Sequence, residues 1–129
     1  MVDTVTNITI HNSPKRLVTK HLSLSDGTGE SNVVKVDKST FTGPDGTEPS
    51  FFMIEKVQYD IAGMEILISV DLTTDQNLFR LTGAGILDFR DVGGISTTGS
   101  GGTGDLLLST NAHSSGDSYD ITIYMRKKD

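Results

Sequence analysis

From Met64 to Leu72 every even position is apolar and most odd positions are polar. A period of two predicts a strand with one face on a core. The chain ends on the same pattern: Tyr119, Ile121, Ile123 and Met125 share one phase and are predicted buried, while Asp120, Thr122, Tyr124 and Arg126 take the other. Shorter runs over Thr4 to Ile10, Leu17 to Leu24, Asn32 to Asp37, Phe51 to Ile61, Leu78 to Leu81, Gly85 to Phe89 and Asp105 to Thr110 bring the predicted strands to nine. No stretch long enough for a stable helix carries a helical stripe, and Thr73 to Asn77 at most begins a single helical turn.

Turn clusters separate these runs, among them Ser25 to Gly29, Gly43-Pro44-Asp45-Gly46, Ala62-Gly63, Gly83-Ala84-Gly85, Gly93-Gly94, Gly99 to Gly104 and Ser114 to Asp117. Glycine there supplies positive φ, and Asp, Asn and Ser bond to nearby backbone. Ala62-Gly63 lies between two long alternating runs and is read as a hairpin. An even loop sets Ile61 beside Met64, Tyr59 beside Ile66 and Val57 beside Ile68, whereas an odd loop would set Asp60 against Met64. Many short strands without helical crossovers predict an all-β fold, an antiparallel two-sheet sandwich of jelly-roll type. Residues 1–129 are read as a single domain, with 1–6 as an extended N-terminal arm.

Composition agrees, since valine, isoleucine and threonine supply 35 residues beside 14 glycines and only three alanines. The formal net charge of −6 argues against nonspecific attachment to nucleic acid or anionic membranes. The basic groups Lys15, Arg16, Lys20 and Arg126-Lys127-Lys128 have no interleaved aromatic residues and are read as solvated strand ends. The absence of cysteine excludes disulfides, thiolate nucleophiles and cysteine-ligated metals. No apolar run approaches the length of about 18 residues that suits a membrane span, and the start lacks the pattern of a signal peptide.

Candidate chemistry is sparse. Gly99-Ser100-Gly101-Gly102-Thr103-Gly104 has the G-x-G-x-x-G spacing of dinucleotide sites, but it leads into a predicted strand instead of a helix and is read as a flexible loop. His11, His21 and His113 share no metal-ligand spacing and are read as polar positions on strand surfaces. Asp26/Glu30 and Asp45/Glu48 depart from the EF-hand pattern and are read as solvated loop acids. No G-x-S-x-G elbow marks a nucleophile. The expectation is a protein that is not an enzyme, with no cofactor and no metal.

Apolar residues on the outward phase are the unusual feature. Phe52 and Ile54 are out of phase with Phe51, Met53, Val57 and Tyr59, and Leu67 and Leu107 interrupt the polar faces of their strands. A strand apolar on both faces needs cover on both. Either the loops Lys38 to Ser50 and Asp91 to Thr103 fold over these residues, or a subunit interface does.

The segments Val5 to Ile10, Pro14 to Val18, Asp26 to Glu30 and Val33 to Asp37 resemble the opening of small virion proteins of tailed bacteriophages, particularly marine ones. Ile86 to Gly94, Gly104 to Thr110 and Ser115 to Ile123 are similar to the closing half of that group. The resemblance implies a capsid decoration, or cement, protein on the outer surface of the virion head, made in the host cytoplasm, often trimeric, with the major capsid protein and itself as partners. On that reading Val2, Thr4, Val5, Phe52, Ile54, Leu67 and Leu107 are the candidate subunit or capsid contacts. A neck or tail protein is the alternative within the group. A carbohydrate-binding or hydrolytic sandwich domain is the rival outside it, disfavoured by the lack of tryptophan.

Overall fold

All nine alternating runs form strands in a computed structural model of the chain, and a two-residue strand joins them. The structure describes residues 4–24, 33–98, 101–111 and 116–128, with the side chains of Thr4 and Val5 outside that description. The strands are β1 (Thr4–Asn12), β2 (Arg16–Leu24), β3 (Val33–Val36), β4 (Phe51–Ala62) and β5 (Glu65–Val70), then β6 (Gln76–Leu81), β7 (Ala84–Asp88), β8 (Ile95–Ser96), β9 (Leu106–Asn111) and β10 (Ser118–Lys128). Among the described residues, helix is confined to two 3-10 turns, Lys38–Thr40 and Arg90–Val92, where the sequence predicted loops. No helical turn forms at Thr73 to Asn77, where the sequence allowed at most one, and the chain bends there into β6.

One sheet runs β1-β2-β10-β4-β7, with β8 also on β4, and the other runs β3-β9-β5-β6. Every strand pair is antiparallel. From β2 the chain passes between the sheets at β3, β4, β5, β7, β9 and β10, which makes two four-stranded faces in jelly-roll order, with β1 added at one edge. The segment read as an arm is therefore a paired strand from Thr4 onward.

The chain turns at Ala62-Gly63, but β4 and β5 lie in different sheets, so the hairpin expectation is corrected. Ile61, Val57, Met64, Ile66 and Ile68 do share one core, as the alternation required, but from two sheets. Alternation decides which residues face inward and leaves their neighbours open, because an inter-sheet arch satisfies the same pattern as a hairpin. Gly63 turns the chain at φ +85°, and a Cβ there would lie 2.2 Å from Asp117 Oδ1, so the arch requires glycine.

In β10, Tyr119, Ile121, Ile123 and Met125 are buried at 2% exposure or less, as the sequence predicted. The phase of β4 needed correction. Its pairing with β10 runs Tyr124 to Lys56 and then Met125 to Ile54, which leaves Glu55 as an extra residue. This β-bulge shifts the alternation by one, so Phe52 and Ile54 face the core on one side of it and Val57 and Ile61 on the other. Phe52 and Ile54 are both 0% exposed. Glu55 itself turns outward, where Arg16 donates to it at 3.0 Å and Arg126 Nε lies 3.7 Å away.

The two loops expected over this part of β4 do pack against it. The Phe41 ring meets Phe52 edge-on at 6.5 Å, β8 pairs with Met53 and Ile54, and Thr97 exchanges hydrogen bonds with the Phe52 backbone. Lys127 continues the inward phase of β10 and is 3% exposed, so it is not the solvated strand end that its basic run suggested. Its ammonium donates to Asn12 Oδ1 and, at 2.9 Å, to the Thr42 carbonyl, and burial lowers its pKa.

Replacing Ile123 with Asp should destabilise the fold by on the order of 3–5 kcal/mol, because it buries a charge with no partner, as chemical denaturation would measure. Deleting Glu55 should abolish cooperative unfolding altogether, since it turns Phe52 and Ile54 to solvent. A Glu55-deleted chain with a normal melting transition would show that the bulge does not set the phase.

Candidate interaction surface

Placing the candidate contacts on the structure removes three of the seven from the surface. Phe52 and Ile54 are core residues, and Leu107 is 5% exposed. Their outward phase therefore gives no ground for a contact role, for the bulge accounts for the first two. Leu67 is half-buried on the outer face of β5. Thr4 and Val5 open β1, and Val2 lies outside the described residues.

The surface that is open lies at the margin of the β1 sheet. Residues 6–12 of β1 are all exposed, and β2 is the strand's one partner among the described residues. The facing sheet is narrower and ends at β3, so β1 receives little cover from below. Ile8 at 42% and Ile10 at 54% exposure stand on its outer face, in line with Lys20 of β2. Alternation had marked β1 as a strand but assumed that its apolar phase faced the core. The missing signal was the polar inner phase of β2.

That inner phase reads Leu17, Thr19, His21 and Ser23, all buried. Histidine was expected on a strand surface, but His21 is 1% exposed. Its Nδ1 lies 2.8 Å from Asn7 Oδ1 and its Nε2 3.0 Å from Thr19 Oγ1. A neutral ring that donates from Nδ1 and accepts at Nε2 satisfies both contacts. Burial lowers the His21 pKa to about 4, with a smaller push from the positive charge of Lys35 on β3. Asn7 is thereby tied to the interior, and β1 is registered on β2 by a side-chain bond as well as by its backbone. Of the other histidines, His11 is exposed and His113 lies outside the described residues.

The outer face of the same sheet carries a shallow groove of about 430 Å³ lined by Ile10, Lys20, Gln58, Asp60, Asp120 and Tyr124 among others. Asp120 and Asp60 stand directly opposite each other on β10 and β4, a like-charge pair eased by Lys20 at 3.4 Å from Asp120. The Lys56 ammonium lies over the Tyr124 ring, 4.4 Å from its centroid.

At one end of the sandwich the described part of the glycine run, Gly101 to Gly104, packs closely against Asp71 to Thr73, while Gly99 and Ser100 lie outside the described residues. A Cβ on Gly102, at φ +64°, would lie 2.3 Å from the Asp71 carbonyl oxygen. Gly104 N–H donates to that oxygen, Asp71 N–H to the Asp105 carbonyl, and Lys38 N–H to the Asp105 carboxylate at 2.8 Å. Of the paired loop acids, Asp45 accepts from Thr47 and Glu48 from Lys38, while Asp26 and Glu30 lie outside the described residues. Among the described residues, no group of three acidic or histidine side chains is placed to hold a metal. No helix there is long and apolar enough to cross a membrane.

Comparison with protein-family models finds none that matches the chain, and comparison with curated proteins finds no match.

The His21 network gives stability a direction with pH. The folded-state pKa lies near 4 and the ordinary value is 6.5, so the unfolded chain takes up the proton first. Stability is full above pH 6.5, falls by about 3 kcal/mol as pH drops towards 4, and is flat in this term below that. Asp88, held down to about 2 by hydrogen bonds from Arg90, titrates outside this window. Denaturation of His21→Gln across pH 4 to 6.5 should show the slope reduced; an unchanged slope would assign the dependence to other groups.

Proposed function

We propose that this chain is a non-catalytic structural protein that works by contact, specifically a capsid decoration protein that binds the outside of a bacteriophage head and reinforces it. The resemblance of the linear arrangement to small virion proteins supplies the specific reading. The exposed, uncharged strand β1 is the structural observation that carries the broader one, because an open sheet edge is a ready site for another chain. The tied loops Asp71 to Thr73 and Gly101 to Asp105 suit a rigid particle component, and rigid surfaces lose little entropy on binding. Many copies on one shell add avidity to a modest single-site affinity.

A carbohydrate-binding role would use the groove beside Tyr124. The Lys56 ammonium already lies over that ring, on the surface where a sugar would stack, and this argues against the rival reading. Purified protein added to heads lacking its gene product should saturate them at a regular stoichiometry and raise their resistance to heat. Heads that stay unbound, with the protein found instead at the neck or tail of wild-type particles, would replace decoration by the neck or tail reading.

A further inference from the structure

The geometry points to β1 as a self-pairing edge, in which two copies of this chain join β1 to β1 in antiparallel fashion about a two-fold axis and continue one sheet through both. This goes beyond the decoration reading and does not depend on the coat.

Three observations carry it. First, β1 is nine residues long, six of them β-branched, and contains neither proline nor Asp, Glu, Lys or Arg. Edge strands are normally guarded by brevity, charge, proline or a bulge. The other edges have such guards: β3 is four residues with a register shift and Lys35, β6 has a register shift beside it and Arg80, and β7 is five residues ending at Asp88. In β1 the register is regular from Thr4 to Thr9, and the one irregularity comes after it, at Ile10.

Second, β1 is held on one side only. Among the described residues β2 is its one partner, and the backbone groups along its other side are open to pairing with a further strand.

Third, charge selects the occupant. The chain carries −6, so copies repel over most approaches, yet this edge is uncharged and presents no like charge to its own image. An antiparallel edge is also self-complementary in its backbone groups, and a two-fold contact of this kind closes after two copies. With the axis at the strand centre, Ile8 meets Ile8 of the second copy and Ile10 lies across from its Thr6, so the exposed Ile8 side chains cover each other.

The test is analytical ultracentrifugation of the full chain across a concentration series, with amide hydrogen exchange at each end of the series. The expected result is a dimer whose β1 amides slow in exchange as it forms. Ile8→Glu places like charges opposite each other across the axis while leaving Lys20 as a neighbour within the chain, so it should be monomeric, with the melting temperature that the wild-type chain shows at the dilute, monomeric end of the series. A chain that is monomeric throughout, a trimer, a dimer whose β1 exchange ignores concentration, or a dimer that survives Ile8→Glu would each overturn the pairing. So would protection of β1 only on heads, which would assign the edge to the coat. A monomer that still saturates heads removes this pairing and leaves the decoration reading, whereas a dimer that never binds heads does the reverse.

Discussion

The extra residue in β4 governs how the two sheets meet. β10 alternates without interruption for eleven residues, and its rigid period imposes a register on both neighbours. β4 spans nearly the same length but must also feed β7 and β8 along its far side. With a continuous alternation, either Phe52 and Ile54 or Val57 and Ile61 would face solvent, and the core would lose two of its large side chains. Glu55 resolves the conflict because an acid can occupy the outward bulge position, where Arg16 and Arg126 approach it from β2 and β10. The ion pairs are partly exposed and contribute modestly to stability. Their effect is to make the bulge site tolerable, so that burial on both sides of it can proceed.

Much of the fold was legible because strands announce their buried face through a period of two. What alternation omits is the identity of the neighbouring strand, and the β4–β5 connection shows the consequence. The residues expected side by side do share the core, but they belong to opposite sheets. The bulge was legible only as an anomaly, a change of phase between Ile54 and Val57, which a solvent-facing interface explains equally well until the pairing with β10 is known. Lys127 could have been placed from the pattern, since it continues the inward phase of Tyr119 to Met125; charge outweighed phase in that reading. The close approach of Gly102 to Asp71 depends on a loop about thirty residues earlier and leaves no local signal.

The candidate surface was hard to read for a related reason. Ile8 and Ile10 have the composition of core residues, and a strand at a sheet margin looks the same in sequence as one at its centre. The distinguishing feature lies on the neighbour: the inner phase of β2 passes from Leu17 to Thr19, His21 and Ser23 as the core gives way to its polar margin. A buried polar group needs its partners, and an unsatisfied one costs about 1–3 kcal/mol. Asn7 supplies one of those partners from β1. The margin of the core thus fixes the register of a strand that the core itself does not cover.

That arrangement bears on how an open edge can be specific. A strand held only by backbone bonds to one neighbour is free to slip, and a slip by one residue exchanges its two faces. The Asn7–His21 bond opposes such a slip, because moving β1 by one residue breaks it, and in one direction puts Ile8, which has no acceptor, beside the ring. The isoleucines consequently remain on the outer face and the polar residues on the inner one. A buried histidine can in this way determine which surface an edge strand presents.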